Sequence, residues 1–256
     1  MIITDTHTHL YSKQFAEDRA QMIERAFNAG VKRFFIPAID STYAEVMYDL
    51  EKQYPDNVFL MMGLHPTHVK AETMEAELAF VEREFERRKF YAVGEIGIDL
   101  YWDKSTLGIQ QQAFKRQIQL AKKYKLPINI HGRDAFDEIF EVLESERSHD
   151  LFGIFHCFTG TKAHAEKAIS LGMKLGIGGV VTFKNGGLDQ FLHEIDLKHI
   201  VLETDSPYLA PVPYRGKRNE SSYLTHVIAK LSEIYGLPEA EIGRVTTENS
   251  KAVFGI

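Results

Sequence analysis

Short runs of β-branched and aromatic residues alternate along this chain with longer segments in which apolar residues recur every three or four positions. The short runs predict eight buried strands, at residues 2–5, 33–37, 59–63, 91–95, 127–131, 153–156, 174–177 and 199–203. The longer segments predict amphipathic helices at residues 15–29, 43–53, 74–88, 108–123, 135–146, 162–171, 188–194 and 221–235. Strand and helix therefore alternate over nearly the whole chain.

Eight successive strand–helix units favour an α/β fold of the TIM (β/α)8 barrel type over an open, doubly wound sheet. An open Rossmann-type sheet would place a glycine-rich phosphate turn after the first strand, and the segment DTHTHL contains no glycine there. Barrels of this type commonly have about 250 residues in one domain. We therefore predict a single domain over residues 1–256, with residues 238–256 forming one more short helix that packs on the barrel and has Pro238 in its first turn.

Histidine and acidic side chains stand at the ends of several predicted strands. In a barrel of parallel strands these ends converge on one mouth, where such enzymes carry their chemistry. Imidazole and carboxylate ligands together suit zinc, manganese, iron, nickel or magnesium. The pattern therefore predicts a metal-dependent hydrolase. The six candidate metal ligands are His7, His9, Glu95, His131, His156 and Asp205.

The spacing of the first two histidines supports their assignment as ligands. His7 and His9 are two residues apart on a predicted strand, so both side chains point to the same face. A single histidine at a strand end is commonly a hydrogen-bonded structural residue, whereas these two histidines can bind one metal ion together. The same alternation places Cys157, next to His156, on the face toward the helices. We therefore predict that Cys157 is a small buried residue and not a ligand.

The acidic candidates differ in their predicted roles. Glu95 lies in the apolar segment GEIG, where an unpaired carboxylate would be costly to bury. It is either a core glutamate paired with an arginine or a ligand shared by two metal ions, and the converging histidines favour the second. Asp205 lies nearer the mouth than Glu203, so we predict Asp205 as the ligand that also accepts a proton from water. Glu203 and Asp5 either orient a ligand imidazole or form core ion pairs.

Basic and aromatic residues near the predicted mouth suggest the substrate. Arg133 follows His131, and the segment PVPYRGKRN places Arg215, Lys217 and Arg218 after the last strand. Arginine forks match phosphate oxygens, although a basic loop can equally be a solvated surface turn. His65 follows the third strand and is predicted to contact substrate.

Two adjacent aromatic residues follow the fourth strand. Tyr101 and Trp102 would either stack on a base or sugar or serve as an aromatic lid or core contact.

Bulk properties narrow the functional class. The net charge of −6 argues against a long nucleic-acid track, because coating many phosphates needs a broad basic surface. The single cysteine cannot form an internal disulfide, so the fold does not need an oxidising compartment. The chain contains no apolar run long enough for a membrane span and no signal-like start. We therefore predict a cytoplasmic protein, and the closed barrel suits a monomer.

Five segments in order resemble the TatD family of metal-dependent deoxyribonucleases, within the amidohydrolase superfamily. They are DTHTHL, GEIGID, HGRDAF, HCFTG and LETDSPYLAPVPYRGKRN. The resemblance covers almost the entire chain and implies a TIM barrel with two divalent metal ions, Mg²⁺ or Mn²⁺ in function, with Zn²⁺ or Ni²⁺ as alternatives. It implies a 3′→5′ exonuclease whose substrate is single-stranded DNA or frayed ends.

The resemblance also implies roles for individual residues. One metal would be held by His7, His9, Glu95 and Asp205, and the other by Glu95, His131 and His156. Asp205 would activate water, and the residues near the substrate phosphate would be His65, Arg133 and Arg218.

The sequence departs from the family pattern at one position, and two functions other than a deoxyribonuclease are alternatives. The family usually has Glu-Pro after RGKRN, whereas here Glu220 precedes Ser221, a good candidate for a helix N-cap. An amidohydrolase acting on a small-molecule amide or ester is the alternative enzyme, but Glu95 occupies the position of the carboxylated lysine of many such enzymes. A barrel that only binds a metal or a partner would tolerate broken ligand positions, and all six are present.

Overall fold

Eight parallel strands form one sheet in which every strand pairs with its sequence neighbours, in the order β1 to β8. The computed structural model of the protein describes residues 2–256. Leu202 carbonyl oxygen accepts a 2.9 Å hydrogen bond from the amide of Thr6, and Thr8 pairs with Ser206, so the last strand meets the first. The predicted TIM barrel is confirmed. Its strands are β1 (Ile3–Asp5), β2 (Val31–Pro37), β3 (Val58–Met62), β4 (Ala92–Asp99), β5 (Ile128–Arg133), β6 (Gly153–Phe155), β7 (Met173–Ile177) and β8 (Ile200–Leu202).

Amphipathic helices surround the barrel because each turns one apolar stripe toward the sheet. In the third helix, for example, Leu78, Val81 and Phe85 recur at helical spacing and are buried. None of the helices within residues 2–256 is long and apolar enough to cross a membrane. The helices are α1 (Arg19–Asn28), α2 (Ala44–Gln53), α3 (Met74–Arg87), α4 (Leu107–Tyr124), α5 (Phe136–Ser145), α6 (Lys162–Ser170), α7 (Leu224–Tyr235) and α8 (Glu239–Phe254).

Two predicted helices differ from the structure. The helix predicted at residues 188–194 is wrong, since two single 3-10 turns, Leu188–Gln190 and Leu192–Glu194, connect β7 to β8. Gly187 precedes them with a φ of +72°, and the segment is too short for a stable α-helix. The helix predicted from residue 221 is preceded by a 3-10 turn, Ser221–Tyr223, and becomes α-helical only at Leu224.

The C-terminal helix is longer than predicted and covers the end of the barrel opposite the mouth. Helix α8 has 16 residues, and Pro238 immediately precedes it instead of lying in its first turn. The ring of Phe254 stacks on that of Phe35 with centroids 3.6 Å apart. Asn249 donates to the carbonyl oxygen of Ile200 at the start of β8. Helix α8 therefore packs against the bottom of the barrel.

Two strands end at positions that alter the depth of the candidate ligands. Strand β1 ends at Asp5, so His7 and His9 lie just beyond it and not on it. Strand β4 continues to Asp99, so Glu95 lies within the strand and not at its end as predicted. Glu95 therefore sits deeper in the barrel than the two histidines that face it.

Candidate metal centre

The carboxylate of Glu95 lies at the middle of the six predicted ligands. Its Oε2 atom is 3.2 Å from Nε2 of His7. Its Oε1 atom is 2.8 Å from both Nδ1 of His131 and Nε2 of His156. Only 2 % of the Glu95 side chain is exposed. The two oxygens of one buried carboxylate therefore face two separate sets of imidazoles.

Asp205 completes the set on the Oε2 side. Its Oδ1 atom lies 3.3 Å from Nε2 of His9 and 3.7 Å from Nε2 of His7. The two imidazole Nε2 atoms are themselves 3.3 Å apart. We call His7, His9, Glu95 and Asp205 the first ligand group, and Glu95, His131 and His156 the second ligand group.

The loop after β8 holds Asp205 in an unusual backbone conformation. Its φ is +54°, a left-handed value that a non-glycine residue adopts only when its surroundings impose it. The amide of Asp205 donates to the carbonyl oxygen of His7 at 2.9 Å. On either side, the amide and hydroxyl of Thr204 donate to Asp5, and the hydroxyls of Ser206 and Thr8 lie 2.6 Å apart. This backbone conformation therefore directs the Asp205 carboxylate toward His7 and His9.

Hydrogen bonds fix the tautomers of the first two histidines. Nδ1 of His7 donates to Oδ1 of Asn129 at 2.7 Å, because a carbonyl oxygen can only accept. Nδ1 of His9 lies 2.7 Å from the hydroxyl of Tyr11, which itself donates to the carbonyl oxygen of Pro37. Both Nε2 atoms therefore lack a proton in the neutral rings and present their lone pairs to the centre.

Acidic residues lie behind the imidazoles of the second ligand group. Nε2 of His131 lies 2.8 Å from Oδ2 of Asp99, so Nδ1 is the atom that faces Glu95. Nδ1 of His156 lies 3.5 Å from Oε1 of Glu203, close enough for a charge interaction but without a hydrogen bond. Gly97 permits the close approach of β4 and β5 here, since a Cβ atom would lie 2.0 Å from the carbonyl oxygen of His131.

The charges at the centre shift several pKa values. Burial raises the pKa of the Glu95 carboxyl, but the neighbouring imidazoles outweigh this and hold the pKa well below its usual range. Burial lowers the pKa of His156, but the charge of Glu95 outweighs this and holds the pKa well above its usual value. The pKa of His131 is likewise raised, by Asp99 and Glu95 against the effect of burial. The metal-free centre therefore favours ionised Glu95 beside protonated imidazole.

The donor atoms fit divalent cations. Oε2 of Glu95 is buried and accepts no hydrogen bond from any residue in the range 2–256. Around it, unprotonated imidazole nitrogens converge with a second carboxylate, an arrangement that is repulsive without a cation. Imidazole and carboxylate are ligands of zinc, manganese and magnesium. Among the described residues, the sets with ligand atoms close enough to hold an ion are His7–His9–Glu95, His7–His156–Asp205 and His65–Glu95–His131.

His65 reaches the same centre but presents a proton. Nδ1 of His65 accepts a hydrogen bond from the amide of Thr67 at 3.2 Å, so Nε2 carries the ring proton. Nε2 lies 3.1 Å from Oε1 of Glu95. Burial lowers the pKa of His65 to about 4, so the ring is neutral at pH 7. His65 is therefore suited to donate a hydrogen bond to an oxygen, which is the substrate contact predicted for it.

The predicted substrate-binding residues Arg133 and Arg215 are exposed and lie on aromatic rings. The guanidinium carbon of Arg133 is 3.6 Å from the ring centroid of Tyr101 and 5.6 Å from that of Trp102. These two rings are themselves 53 % and 71 % exposed, so they are not core contacts. The guanidinium carbon of Arg215 lies 3.6 Å from the ring centroid of Phe183.

Arg218 forms an ion pair that the sequence did not predict. Its two terminal nitrogens each donate to one oxygen of Asp18 at 2.7 Å. One of them also donates to the carbonyl oxygen of Gln14. The hydrogen bonds from Arg218 lower the pKa of Asp18 to about 2. In this conformation the guanidinium ties the loop after β8 to the start of α1.

Two further expectations need correction. Cys157 lies beyond β6 with a φ of +44°, so strand alternation does not place it. It is half-buried, and burial together with the nearby carboxylates raises the pKa of its thiol well above the usual value. Ser221 is not a helix N-cap, because its hydroxyl donates to Oδ2 of the buried Asp5 at 2.7 Å.

Sequence reasoning missed three residues that orient the ligands. Tyr11, Asn129 and Asp99 contact His9, His7 and His131 respectively. Part of the signal was present, because Asn129 precedes His131 by two residues on one strand and so shares its face. The contact between Tyr11 and Pro37 depends on the pairing of separate segments and had no local signature.

The chain is similar to known metal-dependent hydrolases. The family model described as TatD related DNase matches residues 4–255. The chain is similar to the uncharacterized metal-dependent hydrolase YabD of Bacillus subtilis, with 37 % identity over 100 % of both chains. It is also similar to the uncharacterized metal-dependent hydrolase TatD of Mycobacterium tuberculosis, with 32 % identity over 99 % of this chain and 98 % of that one.

A solved structure supports the same assignment. The crystal structure of YjjV, a TatD homolog from Escherichia coli K12, matches with a TM-score of 0.93 and 30 % identity. The match covers 99 % of this chain and 98 % of that chain. The barrel, the converging ligands and these similarities lead to one conclusion: the chain belongs to the TatD family of metal-dependent hydrolases.

Proposed function

We propose that the protein is a deoxyribonuclease that removes nucleotides from the 3′ end of single-stranded or frayed DNA with two divalent cations, Mg²⁺ or Mn²⁺. One observation carries the proposal. The two oxygens of the buried Glu95 face separate groups of imidazoles, His7 with His9 on one side and His131 with His156 on the other. A carboxylate shared in this way can hold two cations at the spacing of roughly 3.5–4 Å that two-metal hydrolytic sites use.

The first ligand group would hold one cation and the second ligand group the other. Bound cations supply positive charge that acidifies water and stabilises the charge developing on a phosphoryl oxygen. The protein contributes the orientation of every ligand. Asn129 and Tyr11 hold the ring protons of His7 and His9 away from the centre, so the lone pairs need no rearrangement.

Asp205 is the proposed general base. Burial raises the pKa of its carboxyl, but the imidazoles of His9, His156 and His7 hold the pKa below the usual value, so the group is ionised at neutral pH. About 15 % of its side chain remains exposed, which leaves it open to water at the mouth. We propose that Asp205 takes the proton of the attacking water and returns it to the departing oxygen, while the Nε2–H group of His65 donates a hydrogen bond to a phosphoryl oxygen.

The rim of the mouth would bind the DNA end. Arg133 is proposed to contact phosphate, and the exposed rings of Tyr101 and Trp102 offer surfaces for base stacking. Arg215 would add a second phosphate contact. Arg218 would contact a phosphate only after its ion pair with Asp18 is broken. The net charge of −6 suits contact with a few nucleotides at an end and not with a long duplex.

The test is degradation of a single-stranded oligonucleotide labelled at its 5′ end, so that stepwise loss from the 3′ end gives a ladder. Wild type with Mg²⁺ or Mn²⁺ should produce the ladder, and a chelator should abolish it. A 3′-phosphorylated or 3′-blocked substrate distinguishes exonuclease from internal cleavage.

Two outcomes would overturn the proposal. Cleavage at internal positions with a blocked 3′ end would reject the exonuclease assignment. Hydrolysis of small esters or amides by a metal-loaded sample that leaves DNA intact would replace the nuclease with a small-molecule amidohydrolase.

A further inference from the structure

Two glutamines in α4 are buried in the apolar stripe that packs on the barrel. Gln110 and Gln117 are seven residues apart, two helical turns, and share one face with apolar neighbours such as Phe114. Each is only 2 % exposed. A buried amide is unfavourable unless its donor and acceptor are both satisfied, so an apolar residue would serve packing better. Their presence requires another explanation.

Gln110 makes two hydrogen bonds to the backbone of Asp99, the last residue of β4. Its Oε1 atom accepts from the amide of Asp99 at 2.8 Å, and its Nε2 atom donates to the carbonyl oxygen of Asp99 at 3.0 Å. The Asp99 carboxylate in turn lies 2.8 Å from Nε2 of His131. A continuous chain of hydrogen bonds therefore runs from α4 to the second ligand group.

Gln117 makes the same pair of contacts to the segment after β3. Its Oε1 atom accepts from the amide of Leu64 at 2.7 Å, and its Nε2 atom donates to the carbonyl oxygen of Leu64 at 3.1 Å. Leu64 directly precedes His65, the residue that presents a proton at the centre. Gln117 therefore fixes the backbone from which His65 projects.

The two glutamines act at the ends of β3 and β4. Strand β3 ends at Met62, so Leu64 has left the sheet ladder. Asp99 is the last residue of β4 and pairs with Arg133 of β5, while its own amide and carbonyl groups bond to Gln110. Each glutamine replaces the two hydrogen bonds that a neighbouring strand would supply. Two successive strand ends are thus held in register by one rigid helix.

We propose that Gln110 and Gln117 are positioning residues for the reaction, with Gln110 setting the orientation of His131 through Asp99 and Gln117 setting the position of His65 through Leu64. The inference rests on the proposed function for the role of His65, whereas the role of Gln110 concerns metal binding alone. Because the two chains of contacts end at different residues, the two glutamines should produce different defects when they are replaced.

The experiment compares Gln110→Leu and Gln117→Leu with the matched control Gln112→Leu, an exposed glutamine of the same helix. Mn²⁺ affinity is measured by isothermal titration of the metal-free full chain at a temperature where each variant is folded. Gln110→Leu should weaken one of the two Mn²⁺ sites by about 10-fold, the lower end of the effect of losing a residue that orients a ligand. Gln117→Leu and the control should bind Mn²⁺ as wild type does.

Kinetics on the labelled oligonucleotide separate the second role. At saturating Mn²⁺, Gln117→Leu should lower kcat/KM by about 10-fold to 100-fold, because small displacements of a contacting group have effects of this size. Gln112→Leu should match wild type. Gln110→Glu keeps the acceptor for the Asp99 amide, so its Mn²⁺ affinity should fall between those of wild type and Gln110→Leu. It also serves as the test if Gln110→Leu does not fold.

The results that overturn the inference are distinct. If both leucine variants melt at lower temperature but keep wild-type Mn²⁺ affinity and kinetics while folded, the glutamines are structural only. Equal losses of metal affinity in both would reject the division of roles. If wild type binds Mn²⁺ but degrades no DNA, the nuclease proposal and the Gln117 role fall together. The Gln110 role is then still decided by its Mn²⁺ affinity.

Discussion

Nδ1 of His9 lies 2.7 Å from the hydroxyl oxygen of Tyr11. The hydroxyl has a single proton, which it donates to the carbonyl oxygen of Pro37, so it must accept from His9. The tautomer of the His9 imidazole is thus set by the backbone carbonyl of Pro37 in β2, and Tyr11 lies between the two. A phenol that is 5 % exposed transmits this constraint.

Replacing Tyr11 should weaken metal binding with little change in packing. Tyr11→Phe keeps the ring but removes the acceptor that holds the Nδ1 proton of His9, so its metal affinity should fall by about 10-fold to 100-fold. The measurement is isothermal titration with Mn²⁺ at pH 7.5. Tyr43→Phe is the control, because its ring lies 5.3 Å from that of Tyr11. Unchanged affinity in Tyr11→Phe would show that the tautomer is not fixed in this way.

Metal affinity should fall as the pH is lowered. The pKa values of His131 and His156 are raised in the metal-free protein, by Asp99 and Glu95 for the first and by Glu95 and Glu203 for the second, against the effect of burial. Below these values the imidazoles hold protons that a cation must displace, so binding releases protons. Titration at pH 7 in buffers of different ionisation enthalpy measures this release. A binding enthalpy that is independent of the buffer would contradict the predicted protonation.

Removing the proposed base should reduce turnover even when the cation sites are saturated. Asp205→Asn keeps the shape of the side chain but cannot accept a proton, so kcat should fall by about 10²-fold to 10⁴-fold. Asp134→Asn is a matched control, because Asp134 is an exposed acidic residue with the same left-handed φ of +54°. Steady-state degradation of the oligonucleotide at saturating Mn²⁺ provides kcat. A loss of less than about 10-fold would assign the base to another group.

Ser221 should stabilise the protein in a pH-dependent manner. Burial raises the pKa of Asp5 from 3.8 to about 7, and the Ser221 hydroxyl opposes this by donating to the carboxylate. Because the folded-state pKa is raised, the stability associated with protonated Asp5 is complete below about pH 4 and is lost as the pH rises through 7. Ser221→Ala raises this pKa further, so more stability should be lost at high pH.

The expected loss for Ser221→Ala in metal-free protein is about 1–2 kcal/mol at pH 8 and less at pH 5. Urea denaturation at the two pH values measures the free energy of unfolding. Ser222→Ala removes a hydroxyl that donates to Glu220, whose pKa is below its usual value, so its effect should be the same at both pH values. An equal effect of Ser221→Ala at pH 5 and pH 8 would contradict the link to Asp5.

The barrel and the convergence of the candidate ligands followed from the sequence because both depend on local periodicity. Strand-end positions such as His131 and His156 share a mouth in any barrel of parallel strands, whatever its detailed register. The helix predicted at residues 188–194 failed since periodicity over seven residues cannot distinguish an α-helix from two 3-10 turns. The depth of Glu95 was missed because β4 continues four residues past it.

The contacts that orient the ligands were harder to predict. Asp99 follows Glu95 closely in the chain, but its contact with His131 depends on how β4 and β5 are paired. The pair between Arg218 and Asp18 joins residues 200 positions apart, and a basic loop gives no indication of such a partner. Buried glutamines such as Gln117 look like ordinary surface residues of a helix until their neighbours are known. Such roles arise from tertiary packing, and local patterns do not contain them.

We propose that one carboxylate, that of Glu95, joins two cation sites. Anomalous diffraction from a crystal soaked in Mn²⁺, recorded near the manganese absorption edge, would locate both cations. We expect two peaks roughly 3.5–4 Å apart, one contacting each oxygen of Glu95. A single peak, or a second peak away from Glu95, would contradict it.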